Sequence, residues 1–175
     1  NHFNPDRIVS ITTGVDLDAF DPEKPYNDLR KELDLPLSTP LMGTVSVFRN
    51  WKGLDYFVQA MPMILKEFPE AFAVIAGAGP DRHILENTIK ETGVGDNVHL
   101  LGHREDVPVI LSSINILVHP SYANEGVPQT VLQAMALKKP IVASDLEPLK
   151  EVVIEGETGM LSRIKDPESI AHAII

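Results

Sequence analysis

Residues 119–136, HPSYANEGVPQTVLQAMA, hold the junction on which the fold reading turns. The apolar run Ile114 to Val118 leads into it and reads as a buried strand ended by His119 and Pro120-Ser121. A short polar loop follows, with Glu125-Gly126 at its tip. Pro128 then opens a segment in which Val131, Leu132, Met135 and Ala136 recur at helical spacing. The order is strand, loop, helix N-terminus, with a carboxylate just ahead of backbone N–H groups that the helix leaves unsatisfied. Such an arrangement can hold an anion on the amides while the carboxylate accepts from hydroxyls beside it.

The same alternation extends in both directions. Leu41–Phe48 (LMGTVSVF), Ala71–Ala76 (AFAVIA), Asn97–Leu101 (NVHLL), Pro140–Ser144 (PIVAS) and Gly159–Leu161 join Ile114–His119 as strands, and residues 7–11 (RIVSI) form a short one ahead of them. Leu54, Phe57, Val58, Met61, Leu65 and Phe68 mark one helix face, and Pro62 inside that pattern predicts a kink. Further helices are expected over Asp81–Thr92, ended by a left-handed Gly93, and over Asp106–Ser113. Helical turns are expected around Leu29–Leu33 and Glu151–Val153. A last helix should start at Asp166-Pro167, with Asp166 as its N-cap. Strands alternating with helices through short connections predict an α/β domain over residues 1–175. The expected form is a Rossmann-like, doubly wound, mainly parallel six-stranded sheet with helices on both faces. In such sheets ligands lie outside the carboxyl ends of the strands. The loops at 49–53, 77–80, 102–105 and 120–128 should therefore share one rim.

Bulk properties narrow the function. The net charge of −10 argues against a nucleic-acid binder, because phosphate-dominated binding needs a basic field. An anionic small ligand would instead need a local positive cluster, which draws attention to Arg49 and Lys52. With no cysteine there is no disulfide or thiol chemistry, which suits a reducing compartment. No window is apolar enough to span a bilayer, and no secretory signal is read at Asn1. A cytoplasmic location is expected. The chain opens as if entering a domain and stops within an apparent helix, so a longer polypeptide is expected.

Each chemical candidate has an ordinary reading beside the functional one. Glu125 could be a solvated carboxylate before a glycine turn and a proline-started helix. Arg49 and Lys52 could be exposed basic residues, or a diphosphate clamp in which Arg supplies a fork and Lys a mobile charge. Gly77-Ala78-Gly79-Pro80 resembles part of a dinucleotide fingerprint but lacks its third glycine, so close approach of a backbone or ligand is the better explanation. The six histidines include no helical metal-ligand pair, and no metal site is expected. His119 is assigned to packing or support rather than catalysis. There is no serine nucleophile elbow and no Walker lysine loop.

Together these segments resemble the C-terminal domain of the family 4 (group 1) retaining glycosyltransferases, which have the two-domain GT-B fold. TTGVDLDAFDP is similar to the family's domain-entry segment, and VFRNWKGLDYFVQA to its strand-loop-helix with Lys-Gly. VIAGAGPDR, VHLLGHREDVP, LVHPSYANEGVPQTVLQAMALKKPIVASD and GETGMLSRIKDPESIAHAI follow in the family's order. The resemblance implies a nucleotide diphosphate sugar (UDP-, GDP- or ADP-linked) as donor substrate and no other cofactor. It places Arg49 and Lys52 on the diphosphate, although many members carry their arginine where this chain has Ser46. Glu125 would meet hydroxyls of the transferred sugar. The Gly126-Val127-Pro128 turn and the amides of Gln129 and Thr130 would meet the diphosphate, while the base would lie along Gly102, His103 and Arg104. Two positions depart from the pattern. Gln133 stands where the family has a second Glu on the ribose, and it keeps an acceptor without the charge. Leu146-Glu147-Pro148 replaces a common Gly-Gly ahead of Glu151.

The implied reaction is retaining transfer of the sugar to an acceptor hydroxyl. The acceptor, a glycan, lipid or small molecule, would be held chiefly by an N-terminal domain. A full-length protein of this kind could also sit peripherally at the inner membrane face, and the isolated domain would turn over nothing. Two alternatives stay open from the residues: a related nucleotide-sugar epimerase, and a non-catalytic α/β nucleotide-binding or interaction domain.

Overall fold

A computed structural model describes residues 13–175, so the short strand expected at residues 7–11 lies outside the described residues. The elements are α1 (Leu29–Glu32), β1 (Leu41–Val45), α2 (Leu54–Glu67), β2 (Phe72–Ala76), α3 (Arg82–Thr92), β3 (Val98–Gly102) and α4 (Val107–Ser113). They are followed by β4 (Ile116–His119), α5 (Gln129–Ala136), β5 (Ile141–Ser144), α6 (Glu147–Lys150), β6 (Gly159–Ser162) and α7 (Pro167–Ile174). The sheet has the order β3-β2-β1-β4-β5-β6, and every adjacent pair is parallel.

The pleat explains why both faces are covered. Along β2, Phe72, Val74 and Ala76 enter one core with Leu41, Ile110, Leu111, Leu117, Val131 and Ile141. Ala73 and Ile75 enter the other with Met42, Phe57, Val58, Met61, Ile64, Leu85, Val118 and Ile170. Successive side chains point to opposite faces, so a strand buried on both sides must read as an unbroken apolar run. Helices α4 and α5 cover the first face, and α2, α3 and α7 cover the second.

Local signals placed most boundaries. Asp166 caps α7 by accepting the Ser169 N–H at 2.9 Å, and Gly93 ends α3 with φ 71°. Helix α2 runs from Leu54 to Glu67 without interruption through Pro62. One boundary needs correcting. The helical turn expected at 151–153 lies earlier, at Glu147–Lys150, with Pro148 in its first turn, where a proline loses no hydrogen bond.

Strand order reverses between β1 and β4. The chain leaves β1 toward β2 on one side and leaves β4 toward β5 on the other, which opens a crevice at their carboxyl ends. The loops after these two strands carry Lys52 and Glu125.

Candidate functional site

The crevice is closed at its base by backbone contacts that require glycine. After β1 the chain turns through a 3-10 segment, Asn50–Lys52, and Gly53 follows with φ 63°. A Cβ on Gly53 would overlap the Pro120 carbonyl oxygen, so the loops after β1 and β4 touch through their main chains. The Tyr122 N–H donates to the Trp51 carbonyl at 2.8 Å and locks them together. From the other side Gly77 and Gly79 lie against Ser46 and Phe48, and a Cβ on either would overlap that backbone. The Phe48 N–H donates to the Ala78 carbonyl at 2.9 Å. The glycines of the 77–80 loop thus support the β1 loop by close backbone approach.

This framework brings Lys52 onto Glu125, with Nζ 2.5 Å from Oε1. The Glu125 side chain is only 6% exposed and that of Lys52 17%, so the pair is largely removed from water. Burial alone would push the carboxyl pKa up. Hydrogen bonds from His119, Lys52 and Ser121 outweigh it and hold the group down at about 2. His119 Nε2 lies 3.5 Å from the same oxygen and 3.3 Å from the Ser121 hydroxyl. Glu125 is therefore a fixed carboxylate oriented by three partners. Sequence reading assigned His119 to support and did not single out Ser121. The two alternate across the strand end, and that spacing puts both side chains on one face.

Beside this carboxylate α5 begins. Among the described residues the Gln129 and Thr130 amides make no hydrogen bond, as expected for a first helical turn. The Thr130 hydroxyl donates to the Val45 carbonyl at 3.1 Å and ties α5 to the end of β1. The Gln129 amide group bridges to the Gly14 carbonyl and the Thr13 hydroxyl. Gly126, Val127 and Pro128 form the turn into the helix, and a Cβ on Gly126 would meet nothing within 4 Å. Gln133 is half-buried one turn along, and among the described residues its side chain makes no hydrogen bond.

The other predicted residues are dispersed around this centre. The exposed Arg49 stacks its guanidinium over Trp51, 5.6 Å from the ring centroid. Gly102 ends β3 with φ 73°, and its carbonyl accepts the Gly77 N–H. His103 is exposed. Arg104 binds Asp106 at 2.7 and 2.8 Å and Glu32 at 2.5 and 3.0 Å, and so fixes this loop to α1 and α4. Its guanidinium is committed there, which leaves the loop backbone to face the rim. Among the described residues no group of three or more metal-binding side chains converges. A cavity of about 460 Å³ lies elsewhere, around the amino ends of β5 and β6.

Comparison with known proteins places the chain in a family. Residues 26–175 match the model of the glycosyl transferases group 1 family. The chain belongs to that family. It is 33% identical over 169 residues to a lipopolysaccharide core biosynthesis mannosyltransferase LpcC of Rhizobium leguminosarum bv. viciae, covering 94% of this chain and 47% of that protein. It is 30% identical over 179 residues to a D-inositol 3-phosphate glycosyltransferase of Corynebacterium urealyticum, covering 96% and 42%. The chain thus spans less than half the length of these curated relatives. Among solved structures it resembles sucrose-phosphate synthase of Thermosynechococcus elongatus, with a TM-score of 0.80 and 30% identity over 92% of this chain and 41% of that one. The C-terminal domain of LpcC from Francisella tularensis aligns with a TM-score of 0.77 at 25% identity, covering 92% and 86%. Anabaena HepE, crystallised with UDP, shares the fold with a TM-score of 0.81 at 24% identity, over 92% and 45%. The group 1 membership fits a C-terminal GT-B domain, as the quoted motifs imply.

Proposed function

We propose that this chain is the donor-binding half of a retaining glycosyltransferase, which moves a sugar from a nucleoside diphosphate to an acceptor hydroxyl. The observation that carries the reading is the buried Lys52–Glu125 pair at the switch point, next to the unbonded amides of Gln129 and Thr130. A negative carboxylate and a positive phosphate site stand side by side, as a sugar diphosphate requires.

In this reading Glu125 accepts hydrogen bonds from hydroxyls of the transferred sugar, and its low pKa keeps it an acceptor across the physiological range. Lys52 has three donors, so it can hold Glu125 and a diphosphate oxygen together. The α5 amides take the remaining phosphate charge, and Arg49 adds a cation at the mouth. Gly102, His103 and Arg104 flank the base through their backbone, and Gln133 accepts from the ribose. As the glycosidic bond breaks, negative charge grows on the departing diphosphate and positive charge on the sugar. Lys52 and the amides meet the first and Glu125 the second, so the site favours the transition state over the bound donor. The acceptor is held chiefly by a further domain, and this chain alone turns over nothing. UDP bound to HepE, a protein of the same fold, makes uridine nucleotides the first to test.

Thermal melting with UDP, GDP and ADP provides the test. At a concentration 100-fold above its Kd, one diphosphate should stabilise the chain by about 2.7 kcal/mol, a rise of a few degrees in Tm. If none raises the Tm at millimolar concentration, the proposal is wrong.

A further inference from the structure

The donor-site reading leaves unused an aromatic ledge on the same rim. Trp51 precedes Lys52, and Tyr122 lies three residues before Glu125; the Tyr122 N–H donates to the Trp51 carbonyl and joins the two residues through their backbones. Tyr56, from the first turn of α2, packs edge-on against Tyr122 with ring centroids 6.1 Å apart. All three rings are only partly buried. Among the described residues the Trp51 indole N–H and the Tyr56 and Tyr122 hydroxyls make no hydrogen bond, so each keeps a polar group for a ligand.

Cations crown this ledge. Lys165, in the loop between β6 and α7, places Nζ 4.1 Å from the Tyr122 ring centroid. Its backbone holds φ 55°, a conformation uncommon for a side-chain-bearing residue, and the Asp166 cap of α7 follows it directly. Arg49 stacks on Trp51 at the other end. In a chain of net charge −10, these are two exposed cations, each set on an aromatic ring of the two joined loops. The carboxylates beside Lys165 have other partners: Asp166 accepts from the Ser169 N–H and from Arg163, and Asp55 accepts from its own N–H and that of Tyr56 at the start of α2.

We propose that Trp51, Tyr56 and Tyr122, with Lys165, form a subsite for an anionic carbohydrate: a sugar or polyol carrying phosphate or carboxylate. This rests on the donor-site reading, which places the transferred sugar at Glu125, within the same loop as Tyr122. Aromatic faces with polar edges suit the alternating C–H and O–H surfaces of a sugar ring, and Lys165 supplies the charge that selects an anionic one. The subsite lies where an acceptor would approach, so this domain contributes to acceptor choice.

Trp51 is the only tryptophan of the chain, so its fluorescence reports on this ledge alone. With the donor site saturated by a nucleoside diphosphate, glucose 6-phosphate and glucuronate should change the Trp51 emission at concentrations about fivefold lower than glucose. Lys165→Gln should remove that fivefold preference and leave nucleotide affinity unchanged. Equal responses to charged and neutral sugars, a full response to inorganic phosphate alone, or an unaltered preference in Lys165→Gln would each overturn the subsite. If nucleotide binds while the sugars leave the emission unchanged, the subsite fails alone. If no nucleotide binds, the donor reading fails, and with it the placement of an acceptor beside it.

Discussion

Glu125 shows how three neighbours convert an ordinary loop carboxylate into a fixed charge. Its folded pKa, about 2, lies below the ordinary 4.5, so ionisation stabilises the fold above pH 4.5 and that contribution is lost as pH falls from 4.5 toward 2. For this nearly buried group the contribution is on the order of 3 kcal/mol. Glu125→Gln should therefore lower the Tm at pH 6, and the gap to the wild type should close between pH 4.5 and 2. A gap independent of pH would show that the carboxylate charge is not what holds the loop. Lys52→Ala removes the charge that faces Glu125 and, in the proposed function, the donor diphosphate. It should weaken nucleoside diphosphate binding about tenfold or more while the nucleoside alone binds nearly as before. Equal losses for both would remove Lys52 from the phosphate role. At this scale the sequence was legible for residue types and less so for their company. Glu125 and Lys52 stood out by motif, but their ion pair spans 73 positions, and only the parallel sheet brings them together.

At the level of elements, the loops matter more than the strands they leave. Gly77, with φ 139°, lies against the Ser46 carbonyl and holds the β1 loop that presents Lys52. Gly77→Ala should cost about 2 kcal/mol or more, because it adds both a steric overlap and an unfavourable φ. Chemical denaturation would measure that loss. A neutral result would mean that the 77–80 loop does not support the β1 loop as described. From sequence these glycines read as allowing close approach of a ligand or a neighbouring backbone, since the loop lacks the third glycine of a dinucleotide fingerprint. It misplaced α6 because the 147–153 stretch has no apolar periodicity long enough to set a boundary, and the proline signal at Pro148 was the better guide. Arg104 shows the converse. Its loop was legible as a rim, but the ion pairs to Glu32 and Asp106 depend on α1 and α4 packing together, which no local pattern shows.

Across the whole molecule, the sequence made the sheet plain because strands buried on both faces leave continuous apolar runs, while intervening helices keep their 3.6-residue period. Handedness and short connections then leave one leading order, the one observed, with β1 and β4 at its centre. That order positions the candidate site: among the described residues the sheet reverses once, between β1 and β4, and Lys52 and Glu125 lie in the loops that leave those two strands. Among the described residues no helix is long and apolar enough to cross a membrane. The central claim is that this reversal point binds a nucleoside diphosphate through Lys52 and the α5 amides. Isothermal titration of the chain with UDP, GDP and ADP tests it most directly. The account predicts a single site per chain for at least one of them, with affinity reduced about tenfold or more in Lys52→Ala. Absence of heat and of saturation for all three at millimolar concentration would contradict it.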